Sequence, residues 1–101
     1  MADSQNEYPG EHKWLTEWLE EEERKVDVWP YAVVLFARRE NDVWAANTPA
    51  GYLQQEGALA HLRTPASTIR SEARRIDPVS TRASVVVFAN GQPYRVREID
   101  L

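Results

Sequence analysis

The chain has 101 residues, a net charge of −4, 43% hydrophobic residues and no cysteine, which suits one domain with its own core and excludes thiol catalysis, disulfide staples and Cys-ligated zinc. No apolar run approaches the ~20 residues of a membrane span. The start Met-Ala-Asp-Ser-Gln-Asn-Glu is too acidic and polar for a signal peptide, so a cytoplasmic protein with no membrane partner is expected.

In chain order, residues 1–10 are polar and end in Pro9-Gly10. They read as a flexible arm, and residues 11–101 as a single domain. Across residues 11–25 the apolar Trp14, Leu15, Trp18 and Leu19 recur at three- and four-residue spacing, and Glu20 with Arg24 and Glu21 with Lys25 add favourable pairs. This is an amphipathic helix whose two tryptophans face a sheet. Residues 26–39 follow as the most apolar stretch, with Tyr31, Val33, Leu35 and Ala37 on one side and Ala32, Val34, Phe36 and Arg38 on the other. A strand apolar on both faces is central in its sheet and covered on both sides. Glu40-Asn41-Asp42 turns it back into residues 43–48, a first hairpin carrying Trp44.

Pro49-Ala50-Gly51 breaks the second strand. Residues 52–62 fit either a loose helical turn or an irregular crossing. Thr64-Pro65 then marks a helix N-cap with proline at the first helical position, followed by Ala66, Ile69, Ala73 and Ile76 along one side and a stop at Asp77-Pro78. The closing segment forms a second hairpin, because Asn90-Gly91 supplies the two positive-φ residues of a type I′ turn. A two-residue loop pairs Val87 with Tyr94 and Val85 with Val96 on one face, leaving Val86, Phe88, Arg95 and Arg97 on the other. The expected fold is α+β: an N-terminal amphipathic helix and two antiparallel β-hairpins forming a curved sheet or small barrel, with a short helix between them.

Chemistry is sparse. There is no Gly-rich phosphate loop, no His-Glu-x-x-His and no nucleophile elbow. His12 and His61 are the only histidines, and with Asp77 they lack recognised metal-ligand spacing. No catalytic residue, metal or cofactor is expected, and no small-molecule substrate. Charge is unevenly placed: residues 1–42 hold five Lys or Arg against eleven Asp or Glu, residues 43–101 seven against five. The acidic run at residues 20–23 and a basic set of Arg70, Arg74, Arg95 and Arg97 are therefore the candidate interaction surfaces. Glu20, Glu21 and Glu23 form the acidic one. Intramolecular pairing of those arginines with Glu72, Glu98 and Asp100 is the competing reading. Scattered arginines on an acidic chain are a poor match for phosphate-driven binding, so no nucleic-acid partner is expected.

The run Val85-Val86-Val87-Phe88, the Asn90-Gly91 turn and Tyr94-Arg95-Val96-Arg97-Glu98-Ile99 resemble the end of small head–tail connector proteins of tailed phages. The resemblance covers about the last twenty residues. It implies a non-catalytic, ring-forming structural subunit, acting in the host cytoplasm or the virion. Independently of it, the missing catalytic constellation and the tryptophan-rich surface point to an assembly subunit that contacts a protein partner, copies of itself included. The alternative is a small acidic inhibitor of a phage or mobile-element anti-defence type, whose helix occupies a basic groove of a nucleic-acid enzyme. A ligand-binding or enzymatic domain would instead need an apolar pocket between sheet and helix with converging polar groups.

Overall fold

The computed structural model describes residues 3–7, 13–20, 26, 28–41 and 44–101. Its strands are β1 (Asp3–Glu7), β2 (Tyr31–Arg38), β3 (Trp44–Ala46), β4 (Ala50–Tyr52), β5 (Arg82–Ala89) and β6 (Gln92–Asp100), and its helices α1 (Lys13–Glu20), α2 (Gln55–Leu59) and α3 (Ala66–Ile76), with a 3-10 segment at Ala60–Arg63. All strand pairs are antiparallel, in the order β1-β6-β5-β2-β3, with β4 also on β2. The fold is thus α+β with both expected hairpins. Among the described residues the sheet stays open between β1 at one edge and β3 with β4 at the other, and does not close into a barrel.

Strand β2 is central, as its two apolar faces require, and this chain covers both of them. Ala32, Val34 and Phe36 join Val86, Phe88 and Val96 beneath Trp14, Leu15 and Trp18 of α1. Phe36 meets both indoles edge-on, at centroid distances of 4.8 Å to Trp14 and 5.1 Å to Trp18, a favoured aromatic geometry. On the opposite face Val33, Leu35, Ala37, Val85, Val87 and Ile99 pack against Ala58, Leu62, Ile69 and Ala73 of the α2–α3 segment. The result is a three-layer arrangement with the sheet in the middle.

Three details differ from the sequence reading, and one stretch that it left open is resolved. Asp3–Glu7, expected within a flexible arm, lie along β6 from Asp3↔Ile99 to Glu7↔Arg95, where the backbone of an edge strand offers hydrogen-bonding groups to any extended segment. Residues 52–62 resolve into the end of β4, α2 and most of the 3-10 segment. Helix α3 begins one residue later than expected, with Pro65 rather than Thr64 as N-cap and no side-chain cap; the Pro65 carbonyl receives the Thr68 and Ile69 amides. The terminal hairpin does turn at Asn90 (φ 51°) and Gly91 (φ 80°), but its register shifts at a bulge between Val87 and Phe88. Val87 therefore faces Arg95 rather than Tyr94, and Val85 faces Arg97 rather than Val96. One extra residue on β6 reverses the faces of everything beyond it.

The β3–β4 edge has its own repair. Strand β3 covers β2 only at Phe36–Arg38 and β4 only at Tyr31–Val33, which leaves the Leu35 backbone between them. Asn47 fills that gap, its amide donating to the Leu35 carbonyl (3.1 Å) and its Oδ1 accepting from the Leu35 amide (2.8 Å). The main-chain groups of a buried strand are thereby satisfied where the ladder is interrupted.

Candidate functional site

The bulge decides the fate of the expected basic patch. Arg97 turns under the α2–α3 layer, is 9% exposed, and donates through Nη1 to the carbonyls of Leu62 (3.0 Å) and Thr64 (2.6 Å). It ties the end of the 3-10 segment to the sheet. Arg95 lies opposite Val87 with its guanidinium 4.9 Å from the Tyr94 ring centroid and its Nη2 on the Tyr94 hydroxyl (3.3 Å). Arg70 donates to the Asp100 carbonyl (3.1 Å), while Arg74 is exposed on the next turn of α3. The four arginines do not form one open patch, and Arg95 and Arg97 lie on the face of Val85 and Val87 rather than with Val86 and Phe88. Glu20 is exposed at the end of α1. Glu21, Glu23 and His12 lie outside the described residues.

The carboxylates named as competing partners are held by other arginines. Arg38, 3% exposed, donates to Glu98 Oε2 (3.0 Å) and Ser84 Oγ (3.3 Å) and stacks 4.2 Å from the Trp14 ring centroid. It fastens α1 to three strands. Arg82 lies within 3.8 Å of Glu98 and 4.0 Å of Asp100, and Arg75 pairs with Glu72 at 2.9 Å. A charge ending an otherwise apolar strand face was the signal for Arg38 in the sequence. Arg39 grips Asp77 with two bonds, 2.8 and 3.0 Å. That hydrogen bonding, together with the Val79 amide, holds the Asp77 carboxyl below its ordinary pKa and raises that of Arg39.

Two surface features remain. The first is apolar: Val28 is 64% exposed, Trp29 38% and Leu53 75%. Trp29 lies over Gly51 of β4 so closely that a Cβ there would fall inside its ring system, which is why the strand carries glycine. Trp29 thus lies against β4, whose other edge pairs with no further strand among the described residues. The second is a cavity of about 340 Å³ between the sheet and the α2–α3 layer, the pocket that a ligand-binding reading requires. Val33, Leu35, Val85, Ile69 and Ala50 supply apolar wall; Asn47, His61, Thr64, Thr68 and Glu72 supply polar groups. His61 is fixed by a hydrogen bond between its Nε2 and the Tyr52 hydroxyl.

No family model, curated protein or solved structure matches this chain. Among the described residues no group of three or more His, Asp or Glu side chains is placed to hold a metal, and no helix is long and apolar enough to cross a membrane.

Proposed function

We propose that this chain is a non-catalytic assembly subunit that works by protein–protein contact, chiefly with copies of itself. One observation carries the reading: Trp29, next to exposed Val28 in the chain and lying over Gly51, two residues before exposed Leu53, stays at the surface while Trp14 and Trp18 are buried in the core. Exposed apolar side chains around an aromatic anchor are the usual centre of an interface. The adjoining edge of β4 adds main-chain donors and acceptors to the same surface. The acidic residues 20–23 and the positive balance of residues 43–101 would orient one copy head-to-tail on the next, a steering effect that salt weakens. The resemblance to head–tail connectors is in keeping with this reading, and would put the assembly in the host cytoplasm or the virion.

The test is the mass in solution by light scattering over a range of concentrations. Wild type is expected to give a multiple of the chain mass and Leu53→Glu a monomer with unchanged melting temperature. A wild-type monomer at every concentration would overturn the proposal.

A further inference from the structure

We infer that the cavity between the sheet and α3 binds a small primary amine carried on an apolar body, of about the size of an arylethylamine. A volume of about 340 Å³ lies in the range of small-molecule sites. Val33, Leu35 and Val85 keep 5 to 9% exposure although they belong to the core, because each also forms part of the wall of this space.

The chemistry of the lining selects the ligand's polar end. Glu72 is its one fully charged side chain, and neither Lys nor Arg lines it. Thr68 and Glu72 are four apart on α3, so both project from the same helical face, beside Ile69. A carboxylate and a hydroxyl are both acceptors for an ammonium, which has three donors and no acceptor. Glu72 shares one oxygen with Arg75 across an exposed pair, the kind that contributes little and yields readily; its other oxygen serves the ligand. Asn47 cannot compete as an acceptor of equal strength, since its Oδ1 already takes the Leu35 amide. An anionic ligand of the same shape would meet the Glu72 carboxylate directly, because the Arg75 partner of Glu72 lies on its exposed side and does not line the cavity.

Titrating 2-phenylethylamine into the full chain, followed by amide NMR shifts, tests this. Saturable shifts are expected at Asn47, Thr68, Ile69 and Glu72, with 3-phenylpropanoate binding at least about tenfold more weakly. Glu72→Gln should remove that preference. Ala50→Leu, at an exposed position paired with Val33, should fill the space and abolish the shifts without unfolding the chain. Equal binding of amine and acid, absence of saturable shifts in wild type, or undiminished amine binding by Ala50→Leu would each overturn the inference.

Discussion

Replacing Arg97 with Met keeps the length of the side chain and removes the guanidinium, and with it the two carbonyl contacts. Each accepts from a cation at 2.6 to 3.0 Å, and such charge-assisted bonds are worth about 1.5–3 kcal/mol apiece. Against this stands the cost of burying the cation, which the Met variant no longer bears. The balance predicts a loss of about 2–4 kcal/mol, or roughly 10 to 20 °C in melting temperature for a domain of this size. Urea denaturation read by tryptophan fluorescence measures it directly. Arg74→Met is the control: Arg74 is exposed on α3 and should change stability by no more than about 0.5 kcal/mol. If Arg97→Met costs no more than Arg74→Met, Arg97 is not the tie between the 3-10 segment and the sheet, and the bulged register loses its main consequence.

Three further outcomes follow from the packing. Trp18→Ala, removing a ring that is 1% exposed, should cost about 3–5 kcal/mol by urea denaturation. Gly91→Val should cost more than the ~1 kcal/mol of an average substitution, because a β-branched residue resists the φ of 80°; an unchanged melting temperature would contradict the turn. Asp77→Asn should lower the melting temperature at pH 7. The Asp77 pKa is depressed from 3.8 by Arg39 and the Val79 amide, so its stabilisation is present above that ordinary value and lost as pH falls through the lower native one. The gap between wild type and variant, followed by thermal melts, should therefore close as pH drops below about 4.

The parts of the fold that could be read from sequence are those with a local signal of sufficient length. Asn90-Gly91 encodes its turn in two residues, and Trp14, Leu15 and Trp18 mark the buried face of α1 at helical spacing. The both-faces-apolar β2 indicated its central place, although only the structure shows that α1 and α3 cover it within one chain. The bulge was not readable: Tyr94 and Val96 alternate with Arg95 and Arg97, but Glu98-Ile99 breaks the alternation, so the pattern singles out neither register, and the irregularity sits one residue after Pro93, which has no amide to donate to the ladder. That slip moved Arg97 from an expected surface patch into the layer beneath the 3-10 segment. Residues 52–62 were equally opaque, since a five-residue helix and a 3-10 turn are too short to show a period. The cavity depends on how α3 sits over β2 and β5, a tertiary fact with no sequence signature, whereas the exposed Val28 and Trp29 were indistinguishable from the apolar run that leads into β2.

The assembly claim is tested most directly by amide hydrogen exchange on the full chain, compared between dilute and concentrated solution. The account predicts added protection on concentration at Val28, Trp29, Gly51, Tyr52 and Leu53, with the central β2 and β5 amides unchanged. Exchange at those five positions that is independent of concentration, while the mass in solution rises, would place the contact elsewhere and contradict the account.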